Sequence, residues 1–362
     1  MRQLALQDPG QLNAPATDAA AFHRSMPGYA ATPLVELPGL AAQLGIGRLL
    51  VKDESDRLGL PSFKILGASW AAARAVGEHR GRAIGSWPEL LAASAGQRLT
   101  LVTTSDGNHG WALAKVAHDL GVRCRVHLPD GVGSLARQGI RALGAELVEA
   151  GGDYDEVVAR TAAGLDPAVG ELLVQDTSWA GYATIPRAIV DGYRTLAAEA
   201  DEQAAALGTR PELVLVPMGV GCLGQAMVEH FRAPGSDAQV VAVEPAVAAC
   251  VTASLAAGAR VTVDTGRATT MAGLRCGTPS ADAWPVLATG LSGGVAITDA
   301  ESAAAAAELA AAGVPLGPCG AAPLAGLRAL LADPGARDRL GLGPESVVLL
   351  IGTEGAAANA GQ

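Results

Sequence analysis

The chain has 362 residues, of which 49% are hydrophobic and 17% charged, too long for one compact core and too apolar for a disordered chain, so two lobes are expected. Twenty-six basic against thirty-six acidic residues leave a net charge of −10 with no Lys/Arg-rich run, which speaks against nucleic acid or an anionic membrane surface as the main partner. No uninterrupted apolar stretch reaches about 18 residues, so no membrane-spanning helix is expected.

In chain order, short β-rich runs alternate with Ala-rich helical stretches. The start, MRQLALQDPG, lacks a basic end followed by an apolar block, so no secretory signal is expected and the protein is placed in the cytoplasm. The first expected strand is Arg48–Lys52. Ser62-Phe63-Lys64 then leads into an apolar helical pattern through Ile65, Leu66, Ala68 and Trp70. The polar stretch Gly77–Gln97, with Gly81, Gly85 and Pro88, reads as a loop. Strand Leu99–Thr103 precedes a small, polar segment, Thr103–Gly110, and helix Asn108–Leu120. There follow strand Arg123–Leu128, helix Ser134–Leu143, strand Glu146–Glu149 and helices Tyr154–Ala163 and Pro186–Leu207. Strand Leu213–Pro217 runs into a glycine loop, helix Leu223–Phe231 and strand Gln239–Val243. Thr298 and Glu301 form a capping box before SAAAAAELAAA, a helix stopped by Gly313 and Pro315. Strand Ser346–Ile351 closes the chain. Near-continuous apolar strands alternating with helices indicate an α/β fold, each lobe a mostly parallel sheet flanked by helices.

The residues able to do chemistry are few. Cys124, Cys222, Cys250, Cys276 and Cys319 form no CxxC, and the six histidines form no HExxH, so neither a disulfide framework nor a metal site is expected. All but three of the basic residues are arginine, leaving Lys52, Lys64 and Lys115 as the only lysines. Lysine differs from arginine in that its amine can lose a proton and condense with a carbonyl. Lys64 stands at a helix start among apolar residues, where the dipole and desolvation both favour the neutral amine.

Two further loops stand between a strand and a helix, where parallel sheets bind ligands. In Thr103–Gly110, Gly107 and Gly110 permit close approach, Asn108 offers donor and acceptor, and Asp106 is able to exchange protons. A helix cap built by Asp106 or Asn108 is the simpler alternative. In Pro217–Gly224, glycines let backbone N–H groups meet a phosphate. This loop also fits G-x-G-x-x-G, with Glu244 twenty residues after Gly224, the fingerprint of an NAD(P)-dependent oxidoreductase. Hydride transfer needs no carbonyl-reactive lysine, however. An amine, a ring-holding loop and a phosphate cup together suit pyridoxal 5′-phosphate, which carries one aldehyde and one phosphate.

The motifs resemble the fold-type II pyridoxal-phosphate enzymes, the group of threonine dehydratase and the tryptophan synthase β subunit. Thr32-Pro33-Leu34, Lys64 after Ser62-Phe63, Gly107-Asn108 and the glycine loop carry that likeness. Within the group the chain is most similar to the diaminopropionate ammonia-lyase family, through Lys52-Asp53-Glu54-Ser55, Ser105–Gly110, Val174–Trp179 with Gly181-Tyr182, Met271–Leu274 and Thr353-Glu354-Gly355. The likeness runs from about Pro27 to Gly355.

The resemblance implies a large cofactor domain from residues 1–70 and 189–362, a small domain at 71–188, and a homodimer. Lys64 is then expected to hold the cofactor's aldehyde and Asn108 its 3′ oxygen. The N–H groups of Gly219, Val220, Gly221, Cys222 and Leu223 are expected to hold its phosphate. Thr353 is expected near the ring nitrogen, and Asp106 and Asp176 are expected to serve the substrate's amino groups and proton transfer. The implied reaction is α,β-elimination of 2,3-diaminopropionate, a small amino acid, to pyruvate and ammonia. A serine/threonine dehydratase or other β-eliminating lyase, the NAD(P)-dependent oxidoreductase and a non-catalytic amino-acid binder are the alternatives. Gly317–Ala321 departs from the family pattern, with Pro318-Cys319 in place of Glu-Ser. Cys250 and Cys276 stand where family members also carry cysteines.

Overall fold

The computed structural model describes residues 2–105, 107–152 and 154–359, the side chains of Asp155 and Asn359 excepted. Its strands are β1 (Leu4–Leu6), β2 (Leu34–Glu36), β3 (Arg48–Asp53), β4 (Thr100–Thr104), β5 (Arg123–Leu128), β6 (Glu146–Glu149), β7 (Glu171–Leu173), β8 (Leu213–Pro217), β9 (Gln239–Pro245), β10 (Gly293–Ile297) and β11 (Val347–Gly352). The chain forms two compact units. Among the described residues, one comprises 2–15, 31–56 and 196–357, the other 16–30, 57–195 and 358–359. The boundaries lie at 56/57 and 195/196, where the sequence reading put them at 70/71 and 188/189, so Lys64 belongs to the smaller unit.

The larger unit holds a seven-stranded sheet in the order β1-β10-β9-β8-β11-β3-β2. Its pairings are parallel except for the short edge strands β1 and β2. Strands β8 and β9 are buried throughout or nearly so, which explains their unbroken apolar runs. Leu49, Val51, Leu215, Val243, Val295 and Leu350 form one core with Leu324 and Leu327 of helix Pro318–Ala332. The capping box is present: the Thr298 hydroxyl accepts from Glu301 N–H, and the Glu301 carboxylate accepts from Thr298 N–H at 2.8 Å.

The smaller unit holds a four-stranded parallel sheet, β6-β5-β4-β7. Helices Ile65–Arg80 and Thr184–Ala206 approach backbone to backbone within it. A Cβ on Gly192 would stand 2.4 Å from the Leu66 carbonyl, and one on Gly67 would stand 2.5 Å from the Tyr193 ring. That contact fixes the helix at whose start Lys64 sits.

Two expectations need correction. Gly77–Gln97 is not all loop, because helix Ile65–Arg80 runs into it and a second helix spans Trp87–Ser94. Ser86 caps that second helix by accepting from Glu89 N–H, and Pro88 stands in its first turn, where a missing N–H costs nothing. Strand β10 was not expected. Gly293 and Gly294 weaken it as a sequence pattern, yet a Cβ on either would strike Ala5 or Thr252.

Candidate active site

Each sheet reverses strand order at one place, and Asn108, Asp176, the glycine loop and Thr353 follow the strands there. In the smaller unit the chain runs from β4 through β5 to β6 on one side, while β7 pairs on the other side of β4. The segments leaving the carboxyl ends of β4 and β7 carry Asn108 and Asp176. In the larger unit β9 and β10 lie to one side of β8, and β11 pairs on the other. The segments leaving β8 and β11 are the glycine loop and Thr353. Carboxyl ends of strands at such reversals are where open α/β sheets bind ligands.

Lys64 is set by a tight turn. Arg57 and Leu60 exchange backbone hydrogen bonds of 2.9 and 3.1 Å around Leu58 and Gly59, both at positive φ. Leu58, at φ 57°, is the only described non-glycine residue in that region, a strained conformation of the kind that clusters at functional sites. Lys64 then opens helix Ile65–Arg80. Its Nζ lies 3.3 Å from Asp176 Oδ2 and 5.6 and 5.7 Å from the Phe63 and Tyr193 ring centroids, within cation–π reach. The other lysines have structural partners. Lys52 is fully buried on Glu199, Gln203 and the Thr32 carbonyl, and Lys115 pairs with Asp119 one helical turn on.

Asp176 also accepts from Tyr154 at 3.0 Å and from Gln175 at 3.1 Å. Burial alone would raise its carboxyl. The Lys64 ammonium, then His109 and the Tyr154 hydroxyl, outweigh burial and hold it at about 2. Asp176 is therefore anionic at neutral pH. Burial lowers His109, so its ring is neutral. Its Nε2 donates to the Val174 carbonyl at 2.8 Å, which leaves Nδ1, buried and without a partner among the described residues, as a bare acceptor.

Helix Asn108–Leu120 starts at Gly107. The Ser105 hydroxyl accepts from Gly107 and Gly110 N–H at 3.0 and 2.8 Å. Gly110 is required by crowding, since its Cβ would lie 2.7 Å from Val126. Asp106 itself lies outside the described residues. Tyr154 and Gln175 escaped the sequence reading as site residues, because nothing in local spacing links Tyr154 to a carboxylate 22 positions away.

In the larger unit, Gly221 begins helix Cys222–Phe231 at φ 111°. A Cβ there would stand 2.6 Å from Leu287, and one on Gly224 would stand 2.3 Å from Met218. Only glycine allows this backbone to turn so closely onto the helix N-terminus, where successive N–H groups suit a phosphate. Thr353 is buried beyond β11, and its hydroxyl has no partner among the described residues. A buried orphan hydroxyl and a glycine-lined helix start are what a pyridine nitrogen and a phosphate ester require, so these residues fit pyridoxal phosphate.

Glu244 does not fit the dinucleotide reading. It is fully buried, and its carboxylate accepts from Val251 N–H, Thr252 N–H and the Thr252 hydroxyl at 2.8, 2.7 and 2.6 Å. Both oxygens are committed to the start of helix Cys250–Ala257, leaving nothing for a ribose. Burial pushes this carboxyl from 4.5 up to about 7 against those hydrogen bonds. A raised folded value means a contribution fully present below pH 4.5 and lost as pH rises through about 7. We expect urea unfolding to show about 2.5 kcal/mol less stability at pH 8 than at pH 5 from this group. Glu244→Gln should flatten that dependence, and an unchanged slope would count against the assignment.

The cysteines are buried or partly buried thiols. Cys250 lies 3.9 Å from the Gly219 carbonyl. Burial and then Glu244 push its thiol far above the ordinary range. Pro318 occupies the first turn of helix Pro318–Ala332, and Cys319 N–H donates to Glu354 at 3.3 Å. Burial, then Glu354, raises the Cys319 thiol well above its usual value. Neither thiol is a nucleophile at neutral pH. Among the described residues no cluster has the makeup of a metal site, and no helix is long and apolar enough to cross a membrane.

Residues 26–353 match the family model described as pyridoxal-phosphate dependent enzyme. Diaminopropionate ammonia-lyase of Escherichia coli K12 is 38% identical over 272 residues, 74% of this chain and 68% of that one. The biosynthetic L-threonine dehydratase of Corynebacterium glutamicum is 30% identical over 65% of this chain and 49% of its own. The crystal structure of the Escherichia coli lyase in complex with D-serine superposes with a TM-score of 0.89 at 33% identity, covering 98% of this chain and 95% of that chain.

Proposed function

This chain belongs to the pyridoxal-phosphate dependent enzymes and, within them, to the diaminopropionate ammonia-lyase family, and on that premise we propose that it converts 2,3-diaminopropionate to pyruvate and ammonia by α,β-elimination. The observation that carries the reading is the Lys64–Asp176 pair, a lysine 3.3 Å from a carboxylate that is ionised beside it. One residue suits the cofactor and the other suits an ammonium.

The cofactor, when bound, draws electrons away from Cα of an attached amino acid and so makes its proton removable. When the cofactor is bound, Lys64 would engage its aldehyde, Asn108 its 3′ oxygen, and the N–H groups of Gly219 to Leu223 its phosphate. Thr353 offers the ring nitrogen a neutral hydroxyl, which stabilises less negative charge on the ring than a carboxylate partner would and favours elimination over transamination. With its amine free, Lys64 would remove the Cα proton of the L-isomer. Asp106 is assigned the same task for the D-isomer. Asp176 holds the β-ammonium, which departs as ammonia. The released enamine hydrolyses in water to pyruvate and a second ammonia. A cytoplasmic homodimer completes the proposal on family membership alone.

The test is product release from L- and D-2,3-diaminopropionate, serine and threonine by protein loaded with pyridoxal phosphate. We expect pyruvate with twice as much ammonia, preferentially from diaminopropionate. Turnover of serine or threonine with silence on diaminopropionate would establish a dehydratase instead.

A further inference from the structure

We propose that Tyr154 is a positioning residue that locks the Asp176 carboxylate in one orientation and thereby sets the preference for a substrate with a second amino group. This rests on the lyase reading above.

The direction of the hydrogen bonds that link Gln175, Tyr154 and Asp176 follows from one fixed donor. Gln175 is fully buried, and its amide oxygen accepts from Thr104 N–H at 2.9 Å and from the Thr103 hydroxyl at 3.1 Å. A backbone N–H can only donate, so the amide cannot be flipped. Its nitrogen must then point the other way, donating to the Tyr154 oxygen at 2.7 Å and to Asp176 Oδ1 at 3.1 Å. Tyr154 accepts from Gln175, so its single proton goes to Asp176 Oδ1 at 3.0 Å. The chain runs one way, from strand β4 through Gln175 and Tyr154 to the carboxylate.

Two neutral donors thus occupy Oδ1, while Oδ2 faces the Lys64 amine at 3.3 Å. When Lys64 engages the cofactor's aldehyde, Oδ2 loses that ammonium but keeps its orientation, because Oδ1 is still held. A cation brought by the substrate at its β position is the matching partner. Serine and threonine carry a neutral hydroxyl there and draw less from a fixed anion. The route from Tyr154 to the substrate runs through Asp176.

The experiment compares wild type, Tyr154→Phe, Asp176→Asn and the double variant, each loaded with pyridoxal phosphate. KM and kcat are measured for L-2,3-diaminopropionate and L-serine, with serine also titrated as a competitive inhibitor. Loss of one hydrogen bond to a charged group predicts a roughly tenfold or larger fall in the diaminopropionate-over-serine ratio of kcat/KM, carried mainly by KM. In the Asp176→Asn background, Tyr154→Phe should add little, because its effect passes through that carboxylate. Thermal unfolding and cofactor titration check that the variants fold. Equal losses toward both substrates, or full additivity in the double variant, would overturn the proposal while leaving the lyase reading intact. Wild-type protein that ignores diaminopropionate would overturn both.

Discussion

Replacement of Lys64 by alanine is expected to abolish turnover, by about 10⁴-fold or more, and to remove the visible absorbance of protein-bound cofactor. The amine is assigned both the attachment and the Cα proton of the L-isomer, and loss of a positioned base alone costs roughly 10²–10⁴-fold. The fold should survive, because Lys64 stands at a helix start with its side chain 26% exposed. Its loss leaves Tyr154 and Gln175 still holding Oδ1 of Asp176. Absorbance and rate measured together decide the matter. A variant that retains the full cofactor spectrum and the wild-type rate would end the assignment.

Gly221→Ala is expected to weaken pyridoxal phosphate binding by about 10- to 100-fold, through roughly 1–3 kcal/mol of backbone strain at the loop. Two effects act together. The residue sits at φ 111°, and its new methyl group would lie 2.6 Å from Leu287, a fully buried side chain. Either the loop N–H groups or Leu287 must move. Fluorescence titration of the cofactor-free protein measures the change. Gly258→Ala supplies the control. It is also at positive φ, 65°, but has nothing within 4 Å of the added methyl, so it should lower the melting temperature and leave cofactor affinity near wild type.

Much of the fold was legible locally. Helices Asn108–Leu120 and Tyr154–Ala163 and strands Arg123–Leu128, Glu146–Glu149 and Leu213–Pro217 have the bounds that periodicity predicts. Long amphipathic helices and short apolar strands between glycines need no tertiary information to be seen. Three-residue strands such as β1 and β7 are too short to show a period. Pro88 reads locally as a breaker although the same residue favours a helix start, and only the Ser86 cap distinguishes the two.

The candidate site divides along the same line. Scarcity singled out Lys64, and the strand–glycine–helix pattern singled out the loop at Gly219–Leu223, because both are properties of residues next to one another in the chain. Spacing alone also admitted the dinucleotide fingerprint. It was burial that turned Glu244 inward onto Thr252, since a carboxylate with three donors at 2.6–2.8 Å has no further use for a ribose. The parallel pairing of β4 with β7, which sets Thr100 beside Glu171, brings the segments carrying Asn108 and Asp176 to one sheet edge. The one-way hydrogen-bond chain through Gln175 and Tyr154 exists only after that pairing. Chemistry of single residues and of neighbouring residues is therefore determined by the sequence itself. Which carboxylate faces an amine and which is spent on a helix is decided by tertiary structure, because hydrogen-bond direction and desolvation depend on partners that the chain brings in from far away.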